Sequence, residues 1–221
     1  MTPWRLAAGT LGAFTVLAVA VKLGLLKTPD AFVREWARPQ NVWGTTQLRA
    51  DLVVEGMRPT VMVALLLVFT AAYCIKRQSL RPALFVAAVC LTTVILTLAT
   101  KAMVARPDPH GLIGNDGGSF PSGHMIGVIV PLGIVLMLMQ PPVGRRVWLI
   151  PALAGGLMGA SLLLQAAHWA ADIVGGGLLG ASALAIAAPC WNRWSNILSA
   201  TNQHSAAHGM STISSPTTVA W

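Results

Sequence analysis

The sequence has few charged residues, and acidic residues are the scarcest of them. Only 10% of its 221 residues are Asp, Glu, Lys or Arg, whereas a soluble domain carries about a quarter. The 15 Lys and Arg residues outnumber the 7 acids, so the formal net charge is +8. The basic residues are scattered over short loops rather than gathered on one helix. This pattern argues against a nucleic-acid partner and indicates contact with anionic membrane lipids.

Cysteine is scarce as well. The three cysteines, Cys74, Cys90 and Cys190, all lie in apolar segments, and their spacing fits neither a metal site nor a disulfide framework. We interpret them as small buried apolar residues. His204 and His208 are four residues apart near the C-terminus, but they have no supporting ligands nearby. The sequence therefore predicts neither a metal site nor a cofactor.

Long apolar runs are what the chain has in abundance. Hydrophobic residues make up 55% of it, and six segments approach the length of about 20 residues that a bilayer core of ~30 Å requires. The predicted segments are 6–26, 59–75, 82–104, 124–139, 147–164 and 173–191. We interpret the first as an uncleaved anchor rather than a signal peptide, because its apolar run continues past the possible cleavage site. The fold class is therefore all-α, a polytopic membrane protein with a six-transmembrane-helix bundle.

The segments between and after these helices carry further predictions. Residues 27–58 hold charges of both signs, and Thr28, Pro29 and Asp30 match a helix start with a capping hydroxyl, a proline and an early acid. Phe32 and Trp36 follow at helical spacing, so we expect one or two short helices in the membrane interface. The membrane domain would cover residues 1–191. Residues 192–221 are polar, and we expect them to be a disordered tail.

The total number of basic residues is equal on the two sides of the bundle, so the total does not indicate an orientation. Their density along the sequence does favour one. The short turns after the second and fourth segments are basic and free of acids, which favours cytoplasmic N and C termini. Abundant Ala, Gly, Val, Arg and Pro indicate a GC-rich genome. We therefore expect an integral protein of a bacterial inner membrane.

Ionisable residues collect at three places on the predicted outer side of this bundle. Each charged group at membrane depth costs about 2.5–3.5 kcal/mol on insertion scales, so such residues require an explanation. The first place is the end of the third segment, where Lys101 and Arg106 suit a bound anion. Ordinary snorkelling of basic side chains to the interface explains these two residues equally well.

The second place is Pro121-Ser122-Gly123-His124, between a Gly-Gly loop and an apolar run. It predicts a helix start whose free backbone N–H groups form an anion site together with the Ser122 hydroxyl. An ordinary serine-capped helix explains Ser122 but leaves His124 unexplained.

The third place holds His168 and Asp172, which are four residues apart and expected to share one helix face. Asp172 can then accept a hydrogen bond from one ring nitrogen and leave the other free as a nucleophile or base. A purely structural His–Asp pair is equally consistent with this spacing. Together, the three places supply cations, amide donors and imidazoles for phosphoryl transfer without a metal.

These residues resemble the signature of the type 2 phosphatidic acid phosphatase superfamily, which comprises membrane lipid phosphatases and related acid phosphatases. The signature reads Lys-x6-Arg-Pro, then Pro-Ser-Gly-His, then Ser-Arg-x5-His-x3-Asp. The second part is complete here as residues 121–124. The matching residues of the other two parts are Lys101, Pro109, Ser161, His168 and Asp172.

The resemblance implies a phosphatase that forms a phosphohistidine. His168 would attack phosphorus, Asp172 would orient His168, and His124 would protonate the leaving oxygen and then activate water. The two histidines would therefore lie close enough to share one phosphate. The groups that would hold the phosphate oxygens are Lys101, Ser122 and the Gly123 N–H. The substrate would be a lipid phosphate or a polyprenyl phosphate or diphosphate, at a site facing the outer side.

Two arginines of the signature are missing. Asp108 stands at the arginine position of the first part, and Leu162 stands at that of the third. We expect Asp108 to point away from a phosphate and Arg106 to take over as a phosphate ligand. Near Leu162, Gln165 offers only a neutral hydrogen bond, which is about half as strong as a charge-assisted one. Phosphate binding should therefore be weaker or differently arranged.

Three kinds of function remain open at this point. The first is a working phosphatase, because the predicted nucleophile, its orienting acid and the general acid are all present. The second is a lipid phosphotransferase, which would pass the phosphate to an acceptor other than water. The third is a membrane protein that keeps the fold without catalysis and binds or moves a phospholipid or holds a partner, a reading that the missing arginines favour.

Overall fold

The computed structural model describes residues 3–115, 117–139 and 143–211, with side chains described as far as residue 195. Within these ranges every regular element is a helix. The elements are α1 (Pro3–Lys22), α2 (Lys27–Ala37), a 3-10 turn (Pro39–Asn41), α3 (Thr45–Gly56), α4 (Pro59–Arg77), α5 (Arg81–Val104), α6 (Gly123–Met139), α7 (Arg146–Leu164) and α8 (Ala170–Ser211).

Six apolar helices confirm the predicted membrane bundle. Five stretches are long and apolar enough to cross a bilayer: Pro3–Lys22, Thr45–Arg77, Arg81–Val104, Arg146–Leu164 and Ala170–Ser195. The sixth helix, α6, has 17 residues and is shorter. Large apolar side chains stay exposed on the outward faces of α4 and α5, as a lipid-facing surface requires.

Helix α6 is the centre of the bundle. It packs against α4, α7 and α8, and most of its side chains are buried. A helix that is apolar all round belongs in such a position, because no face of it has to meet water. Since α6 begins at Gly123, this central position also fixes where His124 lies.

Helix α8 packs along α1 and continues beyond the predicted membrane domain. Ser182 on α8 donates a hydrogen bond to Thr10 on α1 at 2.8 Å. The backbone of α8 remains helical to Ser211, so the structure differs there from the disordered tail expected from residue 192. Residues 212–221 lie outside the described ranges, and their predicted disorder stays a prediction.

The segment between α1 and α4 forms the two short helices that the sequence predicts. Helix α3 packs against α7, and α2 packs against both α7 and α8. The side chains of Phe32 and Trp36 on α2 are 72% and 78% exposed, so one face of this helix carries large apolar groups outward. The segment therefore lies against the end of the bundle where α7 meets α8.

Candidate active site

The end of α5 and the loop before α6 are pressed together. Lys101, which is buried in the last turn of α5, donates from Nζ to the carbonyl oxygen of Gly118 at 2.6 Å. Ser119 donates its N–H to the carbonyl oxygen of Arg106 at 2.8 Å. A Cβ on Gly118 would lie 2.9 Å from the Arg106 nitrogen, and its φ of +142° also favours glycine. The loop before the Pro-Ser-Gly-His stretch is thus held on the lysine-bearing helix.

The Pro-Ser-Gly-His stretch forms the predicted helix start. Ser122 is fully buried, and its hydroxyl oxygen lies 3.5 Å from the Met125 N–H, in a capping position. Its own N–H donates to the carbonyl oxygen of Asp172 at 3.0 Å. A Cβ on Gly176 of α8 would lie 2.6 Å from the Ser122 carbonyl oxygen. The glycine therefore allows α8 to approach this turn closely.

His168 and Asp172 lie together, although not on one helix face as predicted. Helix α7 ends at Leu164 and α8 begins at Ala170, so His168 lies in the turn between them. Nδ1 of His168 is 3.4 Å from Oδ2 of Asp172, and the same oxygen accepts the Trp169 N–H at 3.1 Å. Asp172 reaches back from the first turn of α8, in the manner of an acid in a capping box. The contact is longer than a charge-assisted hydrogen bond.

The two histidines face each other across one cavity. Their ring centroids are 5.8 Å apart, and the rings are inclined at 69°. A phosphate whose oxygens accept bonds near 3 Å can bridge rings at this separation. The predicted proximity of His124 and His168 is therefore present in the structure.

Arg106 does not occupy the predicted position of a phosphate ligand. Its Nη1 donates to Oδ1 of Asp172 at 2.8 Å, and its Nη2 donates to Oδ2 of Asp30 at 2.6 Å. Its guanidinium carbon lies 5.1 Å from the centre of the Trp169 ring. Arg106 does not line the cavity between the histidines. It holds the acid behind His168 instead, because two buried carboxylates attract the guanidinium more strongly than an open cavity does.

The residues near the two missing arginines are engaged elsewhere. Oδ1 of Asp108 accepts the N–H groups of His110 and Leu112 at 2.9 Å each, which closes a tight turn at the rim of the cavity. Leu162 is fully buried in the core. Gln165 donates from Nε2 to Oδ1 of Asp51 at 2.9 Å. Neither Leu162 nor Gln165 lines the cavity.

Two polar residues near the site, one in α2 and one directly after it, were not predicted from the sequence. Asp30, interpreted from the sequence as a partner of the helix dipole, is 3% exposed and binds Arg106. Arg38 is buried and donates from Nη1 to the carbonyl oxygen of Gln165 at 2.6 Å. These residues contact the α7–α8 turn from a segment more than 100 positions away in the chain. The sequence feature that could have identified them is their position in residues 27–58, a short segment that holds more than half of the chain's few acidic residues.

The cavity itself has a polar end and an apolar side. Its volume is about 490 Å³, and its lining includes Lys101, Asp108, Gly123, His124 and His168. Ser122 does not line it. The apolar side is formed by α4 and α5 through Pro59, Val63, Val94 and Leu98. Among these, Val63, Val94 and Leu98 are about half exposed on the outward face of the bundle. The cavity is therefore bordered by a surface that faces lipid.

The part of the chain that the structure describes contains no group of three or more His, Cys, Asp or Glu side chains placed to hold a metal ion. The cavity offers an anion a lysine, the start of a buried helix and two imidazoles. The Asp108 carboxylate also lines the cavity, but its Oδ1 is engaged by the N–H groups of His110 and Leu112.

Comparison with known proteins identifies a family and a similar fold. The sequence model described as the PAP2 superfamily matches residues 80–196, a range that contains all three motif regions. The fold is similar to that of a solved structure, the first transmembrane PAP2 type phosphatidylglycerolphosphate phosphatase from Bacillus subtilis. The TM-score is 0.70 at 18% identity, over 82% of this chain and 93% of the other. No curated protein sequence matches the chain.

Proposed function

The chain belongs to the PAP2 superfamily, and from this premise we propose that it hydrolyses a lipid phosphate or a polyprenyl phosphate or diphosphate through a phosphohistidine. Family membership and the fold support a membrane phosphatase in general. The finer proposal rests on one observation. His124 and His168 lie 5.8 Å apart on a cavity that also exposes Lys101 and a helix start.

His168 is the nucleophile of the proposed first step. Asp172 lies on the Nδ1 side of its ring, which leaves the Nε2 lone pair for attack on phosphorus. A P–N bond forms as the P–O bond to the lipid breaks, and His124 gives a proton to the leaving oxygen. Lys101 and the Gly123 N–H stabilise the charge on the transferring group.

Water completes the reaction in the proposed second step. His124, now without its proton, takes a proton from a water molecule on the cavity side. The water oxygen forms a new bond to phosphorus, the P–N bond breaks, and inorganic phosphate leaves. Both histidines return to their starting protonation states, so the cycle needs no cofactor.

The surroundings of the cavity support a substrate drawn from the membrane. Its apolar side lies between α4 and α5, where Val63, Val94 and Leu98 are partly exposed. A lipid chain at this border can remain in the bilayer while its phosphate reaches the histidines. We place the site on the extracytoplasmic side of a bacterial inner membrane, with both termini cytoplasmic, on the distribution of basic residues.

A second candidate function, binding of a phospholipid without cleavage, is supported by the lack of an arginine among the described residues that line the cavity. Arg106 is engaged by two carboxylates and Leu162 is buried, so neither position offers a guanidinium to a phosphate. A protein that binds a phospholipid without cleaving it tolerates this loss better than an enzyme does. A phosphotransferase, which replaces water by another acceptor, uses the same first step as the proposed phosphatase.

Phosphate release from a panel of lipid phosphates separates these functions. The panel contains phosphatidic acid, phosphatidylglycerolphosphate and a polyprenyl diphosphate, each presented in detergent to the purified protein and to His168→Ala. The phosphatase releases phosphate from at least one lipid, and the variant does not. Equal release from both proteins contradicts the catalytic role of His168. Binding without release across the panel supports the second candidate.

A further inference from the structure

Asp30 is a buried carboxylate outside the region that matches the family model, which begins at residue 80. It lies in the first turn of α2. Its Oδ2 accepts a bond from Nη2 of Arg106 at 2.6 Å, and its Oδ1 accepts the Ala171 N–H at 2.9 Å. One side chain of α2 therefore holds both the arginine and the first turn of α8.

These contacts form a continuous polar chain to the ring of His168. From Asp30 the chain runs through Arg106 to Oδ1 of Asp172, at 2.8 Å. The other oxygen of Asp172 faces Nδ1 of His168 at 3.4 Å and accepts the Trp169 N–H at 3.1 Å. Both oxygens of the orienting acid are thus fixed, one by Arg106 and one by the turn that carries His168.

The charges of this chain explain why the second carboxylate matters. Arg106 alone would neutralise Asp172, because one cation and one anion in contact leave no net charge. Asp30 shares the guanidinium and leaves one negative charge beside the imidazole ring. The side chains of Asp30, Arg106 and Asp172 are all at least 88% buried, so solvent screens this charge only weakly. Asp30 also keeps the guanidinium in one place relative to α8.

We infer that Asp30 is a positioning residue, which acts through Arg106 to keep the Asp172 carboxylate aligned on Nδ1 of His168. The inference rests on the proposed function, since it concerns the nucleophile of that reaction. It extends the functional unit beyond the matched family region to α2. Asp30 itself does not line the cavity, so its loss should change the reactivity of His168 and leave the binding of substrate unchanged.

Asp51 provides a matched control for Asp30. It also lies between α1 and α4, and it also binds the α7–α8 turn, through a 2.9 Å bond from Nε2 of Gln165. No contact connects it to Arg106 or Asp172 among the described residues. Asp51→Asn therefore removes a negative charge from the same α1–α4 segment without breaking the polar chain that runs from Asp30 to His168.

The test compares the wild type with Asp30→Asn, Asp30→Glu and Asp51→Asn. The first readout is kcat and KM for a lipid phosphate that the wild type hydrolyses. We expect Asp30→Asn to lower kcat about tenfold, the scale of one charge-assisted hydrogen bond, with KM within about twofold. Asp30→Glu keeps the charge and should recover most of the rate. Asp51→Asn should match the wild type in both constants.

The second readout does not depend on turnover. Nitrogen-15 chemical shifts of histidine-labelled protein report the tautomer of His168, measured in alkaline buffer at about pH 8.5. The resonance is assigned with His168→Gln. The wild type and Asp51→Asn should show the Nδ1–H tautomer, whereas Asp30→Asn should show a mixture of the two tautomers.

The two readouts separate the possible failures. A wild type that releases no phosphate contradicts the proposed function, while a tautomer change in Asp30→Asn alone still supports the positioning role. Wild-type kcat and a wild-type tautomer in Asp30→Asn overturn that role. Equal losses of kcat in Asp30→Asn and Asp51→Asn also overturn that role. They would indicate a general loosening of the contacts between the α1–α4 segment and the α7–α8 turn. If Asp30→Asn does not fold, Asp30→Glu decides: a kcat below one-tenth of the wild type contradicts the argument from charge.

Discussion

Arg106 and Asp172 form an ion pair in which Nη1 lies 2.8 Å from the carboxylate oxygen Oδ1, and Oδ2 of the same carboxylate faces His168. The arginine nearest to the first motif position therefore supports the orienting acid rather than the phosphate. Lys101 and the helix start at Gly123 remain as the donors on the cavity.

Arg106→Ala should destabilise the protein strongly. The substitution leaves the buried carboxylates of Asp30 and Asp172 without their shared cation. Breaking a buried ion pair in this way costs about 3–5 kcal/mol. The matched control is Arg58→Ala, because Arg58 pairs with Glu55 where both side chains are about half exposed, and such surface pairs contribute about 0–1 kcal/mol. The midpoints of thermal unfolding in detergent compare the two variants. Equal midpoints would show that Arg106 is not the buried cation described above.

His124→Ala should slow cleavage according to the leaving group. The ring faces His168 across the cavity and is assigned the proton that the leaving oxygen needs. Loss of a general acid lowers rates by about 10²–10⁴-fold for an alkyl phosphate. A nitrophenyl phosphate has a leaving group that needs little protonation. The rate of its first step should therefore fall by less than about tenfold in His124→Ala. Rapid-mixing measurement of nitrophenol release tests this difference. Equal losses with both substrates would remove the general-acid role.

Gly176→Ala should weaken the contact between α8 and the Pro-Ser-Gly-His turn. The added Cβ would lie 2.6 Å from the carbonyl oxygen of Ser122. Overpacking of this kind costs about 1–3 kcal/mol. Gly156→Ala on α7 is the control, since no atom lies within 4 Å of its added Cβ. Only Gly176→Ala should lower the thermal midpoint. A midpoint unchanged in Gly176→Ala would indicate that the turn and α8 are not in close contact.

Leu98→Trp should obstruct entry from the membrane. Leu98 lines the cavity and is 47% exposed on α5. We expect KM to rise about tenfold for a long-chain phosphatidic acid. This corresponds to the free energy lost when roughly two methylene groups are no longer buried, at ~0.8 kcal/mol each. A short-chain, water-soluble analogue should be unaffected. Leu91→Trp, an exposed position of α5 that does not line the cavity, is the control. If Leu98→Trp raises KM equally for both substrates, the lipid chain does not pass between α4 and α5.

The sequence predicted the elements and the meeting of the motifs because both depend on local patterns. Long apolar runs are sufficient to predict membrane helices. Charged groups at membrane depth need partners, so Lys101, His124 and His168 were expected to collect at one end of the bundle. The structure places all three on one cavity.

The role of Arg106 was not predictable in the same way. Its partner Asp30 is 76 positions away, in a segment whose sequence predicts a short helix but does not indicate what that helix packs against. A local pattern explained Asp30 fully as an acid at a helix start, so nothing in the sequence required a distant cation. The turn at His168 was missed for a similar reason, since a spacing of four residues suits a helix face and a capping turn equally well.

Direct detection of a phosphohistidine tests whether His168 is the nucleophile. The His124→Ala variant is mixed with nitrophenyl phosphate that carries an isotopic label on its phosphate group. The reaction is quenched without acid, and the peptides of the protein are analysed by mass spectrometry. Loss of His124 slows the water step, so the labelled intermediate should accumulate. Phosphate is expected on a ring nitrogen of His168, and none is expected in the His124→Ala, His168→Ala double variant. Label on a different residue, or phosphate release by the wild type with no labelled histidine in His124→Ala, would contradict it.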